Sequence, residues 1–284
     1  MTQLPVRLPT PLSRLVAVAA GERLLLLGGL DGRNHTSAGV LALSPAGGVA
    51  DVVGGLAEPT HDAGGAVLGG KVVVIGGGVT ASSDAAQALA PAGGTATVVG
   101  HLPQPRSDLA VATDGTTAYV VGGYTGSAEL PDVLATADGR SFRVVVRLAE
   151  TVRYPAAVVV GGTLWVLGGE HDGRPTADIQ RVDLATGSAR VAGRLPAPLA
   201  HAAAVVLGGS VLLVGGADGP VHERTVGRFD PATAAVTPVG ALPVPLSDAA
   251  VAVLGDSAYV VGGETTGAAG AVTTVDTVER LRWG

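Results

Sequence analysis

The sequence predicts an all-β fold built by radial repetition, and three observations carry the prediction. An apolar run ending in two adjacent glycines recurs six times, the pairs beginning at Gly28, Gly76, Gly122, Gly168, Gly215 and Gly262. The intervals are nearly constant at 48, 46, 46, 47 and 47 residues. Periods of this size mark stacked units, each too small to bury its own apolar face. Third, of 284 residues 44 are glycine and 47% are hydrophobic, yet only 3% are aromatic. That composition suits thin strands covered on both faces and joined by tight turns. Six periods fill the sequence, so one domain over residues 1–284 is expected.

Each period reads as four strands. The first is an apolar run such as Leu109 to Ala112 or Ala202 to Val206. A tight turn, for example Asp114-Gly115, Gly161-Gly162 or Gly208-Gly209, leads into the second strand, which ends on the glycine pair. Third and fourth strands follow, as in Ile179 to Asp183 and Ala189 to Val191, joined by Ala185-Thr186-Gly187-Ser188. The unit then closes on Leu-Pro, as at Leu102-Pro103, Leu195-Pro196 and Leu242-Pro243. Four antiparallel strands per unit, repeated radially, describe a β-propeller blade, here six times over. The last period stops at its third strand, Thr277 to Leu281, and residues 2–7 match the missing fourth. The N-terminal segment is therefore expected to complete the last blade and close the ring.

The pattern resembles Kelch repeats. It shares the glycine pair ending the second strand, an aromatic residue three positions earlier (Tyr119, Trp165, Tyr259), and Asp-Gly soon after (Asp31-Gly32, Asp172-Gly173, Asp218-Gly219). The resemblance covers the whole sequence and is to stand-alone bacterial propellers of this type. One departure lies on the fourth strand, where Ala50, Ala96, Phe142, Ala189 and Val236 stand in place of the family's usual tryptophan. No Trp-Asp pair occurs, which disfavours a WD-repeat reading.

Composition excludes several function classes. There is no cysteine, hence no disulfide framework or thiolate site, and copper-radical chemistry known in some propellers of this repeat has no thiolate to use. The formal net charge of −6 argues against a nucleic-acid partner or a basic membrane-surface helix. No apolar run reaches spanning length, and the opening Met1-Thr2-Gln3-Leu4-Pro5 lacks a signal peptide's basic and apolar regions. A cytoplasmic monomer without cofactor is expected.

Antiparallel alternation puts the loops before each first strand on the same rim as those after each second strand. Aligning the units on their glycine pairs superposes Arg14, Asp62, Asp108, Tyr154, His201 and Asp248 at the mouth of the central channel, preceded by Ser13, His61, Ser107, Arg153, Ala200 and Ser247. The loops after the second strands add Tyr124, Glu170 and His171. On the opposite face the turns are mainly Gly, Ala, Pro, Ser and Thr. A rim that diverges between units makes an asymmetric pocket, so a ligand site is expected at Arg14, His61, Asp62, Asp108, Arg153, Tyr154, His201, Asp248, Tyr124 and His171. The expected ligand is a peptide, a protein loop or a small polar molecule. No metal site is expected, Asp62, Asp108 and Asp248 being the weak candidates. The resemblance also implies an alternative, a sugar or small-metabolite isomerase, epimerase or lyase. In that reading His201 pairs with Asp248 or Asp108, Tyr154 serves as acid, and Arg14 or Arg153 holds an anion.

Overall fold

The computed structural model describes residues 1–267 and 270–283, and its regular elements are short β-strands. In each repeat the first two strands form a hairpin, as in Val16–Ala20 with Arg23–Leu27, Ala156–Val160 with Thr163–Leu167, and Ser257–Val261 with Ala250–Leu254. The third strand pairs with the second, and the fourth with the third, as Asp178–Asp183 and Ser188–Arg194 do in repeat 4. All these ladders are antiparallel. The second strands are covered on both faces: Leu24 to Leu27 are at most 1% exposed. That double burial is why they read as unbroken apolar runs rather than as an alternation.

The first strands touch one another in cyclic order, repeat 1 to repeat 6 and back to repeat 1. Apolar layers lie between neighbouring sheets. One joins Leu8, Leu24 and Leu43 to Tyr259, Val261 and Val278. Another joins Trp165 and Ile179 to Val211 and Phe229, with the Trp165 and Phe229 rings edge to face at 5.0 Å. The glycine pairs stitch these neighbours together. Gly169 N–H donates to the Leu199 carbonyl of the next repeat at 2.8 Å, and the same bond recurs around the ring to Gly263 and Leu12 at 2.9 Å. At Gly168, where φ is +60°, an added Cβ would run into that carbonyl oxygen. Only glycine fits there.

The N-terminal strand Thr2–Gln3 pairs with Val278–Arg282 and supplies the fourth strand of that sheet. The ladder is shorter than the residues 2–7 read from sequence, because Pro5 has no N–H to donate. Leu4, Val6 and Leu8 are nevertheless buried. The expected six separate sheets are found instead as four four-stranded sheets and one of eight strands. In the larger one, Asp51–Gly55 and Gly93–His101, the outer strands of repeats 1 and 2, pair in parallel through Gly54 and Gly94. A Cβ on Gly54 would strike the Gly94 carbonyl, so the join depends on the absence of a side chain at Gly54. Among the described residues no helix is long and apolar enough to cross a membrane.

Candidate functional site

The six residues superposed by the repeat alignment do meet at the channel mouth. Arg14, Asp62, Asp108, Tyr154, His201 and Asp248 line a cavity of about 110 Å³. Below it a second cavity of about 210 Å³ runs between the first strands, past small residues such as Gly64, Ala110, Ala156 and Ala203. All six rim residues are left-handed, with φ between 51° and 58°. Their backbones form a closed circle of hydrogen bonds in which each N–H donates to the carbonyl of its counterpart one repeat back. Asp62 donates to Arg14 at 3.1 Å, Tyr154 to Asp108 at 2.7 Å, and Arg14 closes the circle on Asp248 at 2.9 Å. The residue before each one is also pinned. Ser107, Arg153 and Ser247 make paired backbone bonds with Tyr124, Glu170 and Glu264, the residues that follow the glycine pairs. This bracing holds a backbone shape that costs an L-residue about 1–2 kcal/mol.

The side chains form one ionic network. The Arg14 guanidinium lies between carboxylates, with Nε 3.0 Å from Glu264, Nη1 3.1 Å from Asp62 and Nη2 3.8 Å from Asp248. Its Nη1 is also 3.4 Å from the Tyr154 hydroxyl. His201 bonds Asp248 through Nδ1 at 2.7 Å and approaches Glu170 through Nε2 at 3.5 Å. The Tyr154 ring stacks on His201 with centroids 4.0 Å apart. Arg153 grips Glu170 at 2.7 Å and lies over the Tyr124 ring at 5.1 Å.

This arrangement splits the three aspartates. Burial opposes the charge of Asp248, but the bonds to His201 and the nearby Arg14 prevail and hold it below its ordinary value. Burial raises Asp62 to about 7 despite Arg14, with Asp248 and Asp108 adding to the rise. Burial also raises Asp108. For His201, burial works against protonation, yet the hydrogen bonds to Asp248 and Glu170 outweigh it and lift the imidazole to about 9. The mouth thus holds an imidazolium and two guanidinium groups among carboxylates, with one carboxyl that changes charge near neutrality.

Four of the sequence-selected residues do not line this cavity. Arg153 connects the mouth to an outer groove of about 490 Å³ that also touches Tyr124, Glu129 and Asp172. His171 turns away, its Nδ1 2.9 Å from the Thr151 carbonyl. His61 bonds the Thr36 hydroxyl at 2.9 Å. Asp62, Asp108 and Asp248 do not come within shared-ligand range, because Arg14 intervenes between Asp62 and Asp248; among the described residues the group in such range is Glu129, His171 and Asp172. Glu264 was not among the sequence candidates. Its signal is its position directly after Gly263, equivalent to Glu170 after Gly169.

No protein-family model and no curated protein sequence matches the chain. Solved structures do: one described as "Structure of YjhT" is 14% identical, covers 98% of this chain and 99% of its own, and gives a TM-score of 0.77. At that identity the likeness shows the fold alone. The chain is a β-propeller, 934 solved chains match it, and the scaffold does not choose a function.

Proposed function

We propose that the protein is a six-bladed, Kelch-like propeller, the eight-stranded sheet counting as two blades, that binds a small hydroxyl-bearing molecule at the channel mouth. One observation carries this reading: six left-handed rim positions, none of them glycine. A purely structural rim would favour glycine, which adopts this backbone without strain. Here Arg, Tyr and His are kept there at a conformational cost, and no steric demand of the strands requires those side chains. Their chemistry also narrows the ligand. Arg14 and Arg153 are already neutralised by carboxylates, so neither is a free anion clamp. A neutral hydroxyl group can donate to an aspartate and accept from His201 or Tyr154, and a cavity with mixed donors and acceptors suits several such groups.

The test is a thermal-shift screen of sugars, polyols, short peptides and acidic metabolites, repeated with Asp108→Gly. A ligand that binds only the folded protein raises its melting temperature. The expected result is a shift with a hydroxyl-rich compound that Asp108→Gly abolishes. A shift of equal size in both proteins, or one seen only with peptides, overturns the reading.

A second reading, the isomerase or epimerase, is favoured by one specific feature. Asp62, raised to about 7, and the Tyr154 hydroxyl both face the same Arg14 Nη1, so two proton-bearing groups border one small cavity. His201→Gln separates the readings. It abolishes turnover of a bound sugar if the site is catalytic and only alters affinity if it is not.

A further inference from the structure

A different place in the repeat carries a second binding site. The pairing of third and fourth strands slips at the same point in five repeats, between Val40 and Leu41, Ala86 and Gln87, Val133 and Leu134, Ile179 and Gln180, and Val226 and Gly227. A bulge re-aims the side chain beside it. In repeat 2 the side chain so placed is Gln87, which brackets one residue of the loop entering the repeat. The Glu58 N–H donates to Gln87 Oε1 at 2.9 Å, and Gln87 Nε2 donates to the Glu58 carbonyl at 3.0 Å. Gln180 does the same in repeat 4, bonding Glu150 N–H and carbonyl at 3.0 Å each. Both glutamines are buried. Leu41 and Leu134 fill the equivalent place with apolar atoms in repeats 1 and 3. In repeat 6 it holds Glu279, whose ionisation burial opposes.

Repeat 5 differs, because its residue is Gly227. The loop residue it faces is Ala197, whose N–H and carbonyl have no intramolecular hydrogen-bond partner among the described residues. A cavity of about 190 Å³ opens there, walled by Leu195, Leu199, Leu213, Val236 and Pro238 with Ala197 and Gly227 at its edge.

We propose that this slot binds the side-chain carboxamide of a glutamine carried by a partner polypeptide. The chain itself displays the recognition twice, in Gln87 and Gln180. A primary amide supplies one acceptor for the Ala197 N–H and a donor for its carbonyl, in the spacing those two brackets use. The methylenes of the glutamine would lie against the leucines and prolines, where apolar contact is favourable. A glutamate offers only acceptors and would leave a desolvated charge beside the carbonyl. A leucine would satisfy neither backbone group.

The experiment uses the unaltered, ¹⁵N-labelled protein titrated with three capped tripeptides, Ala-Gln-Ala, Ala-Glu-Ala and Ala-Leu-Ala, followed by amide chemical shifts. The expected result is saturable perturbation of Ala197 and Gly227 by the glutamine peptide, bound about tenfold more tightly than the others. A companion variant, Gly227→Gln with Val236→Ala, copies the Gln180 and Ala189 pair of repeat 4. The second change is needed because a Cβ on Gly227 would lie 2.5 Å from Val236 Cγ1. This variant should fill its own slot and lose the peptide. Equal binding of all three peptides, or glutamine-dependent shifts only at other residues, overturns the proposal. If the variant does not fold, the three-peptide comparison decides alone. Neither arm touches the channel mouth, so the outcome is independent of the ligand proposed there.

Discussion

Two sets of left-handed residues circle the axis, and they are treated in opposite ways. The glycine pairs are identical in all six repeats, whereas the six rim positions hold Arg, Asp, Asp, Tyr, His and Asp. The backbone conformation is nearly the same at the rim and at the first glycine of each pair, so backbone demand does not explain the difference. Space does. A Cβ at Gly28, Gly122 or Gly168 would collide with a carbonyl of the next repeat, while the rim side chains have room around the cavity at the channel mouth. Uniformity therefore marks packing and diversity marks a surface left free to vary.

Both circles of hydrogen bonds cross the seam between repeats 6 and 1, at Gly263 to Leu12 and at Arg14 to Asp248. The largest expected effect comes from opening that seam. Deleting residues 1–8 removes Leu4, Val6 and Leu8 from the core, each contributing about 1.5–3 kcal/mol, and chemical denaturation should show a loss of about 5 kcal/mol or an unfolded protein. An unchanged unfolding curve would remove the seam from the comparison. Gly168→Ala comes next. It adds about 1–2 kcal/mol of left-handed strain to a collision with the Leu199 carbonyl, so a loss of several degrees in melting temperature is expected.

Asp108→Gly tests the other set. Burial of its carboxylate outweighs the support it receives from the Ser107 and Tyr154 hydroxyls and from Arg153 at 3.8 Å, and glycine relieves the strain at φ +58°. Stability should hold or rise by up to about 1 kcal/mol, the opposite sign from Gly168→Ala; a matching loss would erase the distinction between the two sets. The rim also carries a pH dependence. His201 rises from 6.5 to about 9 on folding, so its stabilisation is complete below pH 6.5 and fades as pH climbs to 9. Asp62 rises from 3.8 to about 7, so the folded state loses ground as pH rises through that interval as well. Melting temperature should therefore fall between pH 6 and 9, and fall less in His201→Gln.

The rim positions were readable because a repeat aligns on itself: once the glycine pairs were in register, Arg14 and its five counterparts fell into one column. Their left-handed backbone was not, since Arg and Tyr carry no local signal for it and the conformation is imposed by bonds to neighbouring repeats. Glu264 was within reach by the same alignment. Gly227 was not. In sequence it is one glycine among 44, and only the bulge beside it and the filled counterparts Gln87 and Gln180 show that a side chain is missing. The fused sheet was hidden for a similar reason, because Gly54 and Gly94 look like turn residues until their strands meet. His171 lies in the rim loops but does not line the cavity at the mouth, because loop membership says nothing of side-chain direction.

The pairing of Thr2 with Arg280 also sets a timetable for biosynthesis. Thr2 and Gln3 are synthesised long before Arg280 and Glu279, their strand partners, and until those emerge Leu4, Val6 and Leu8 face an unfinished sheet. The ring cannot lock before Arg280 has emerged. Its last step is one long-range encounter, the kind of contact that slows folding, and the nascent chain carries an open apolar edge until that encounter is made.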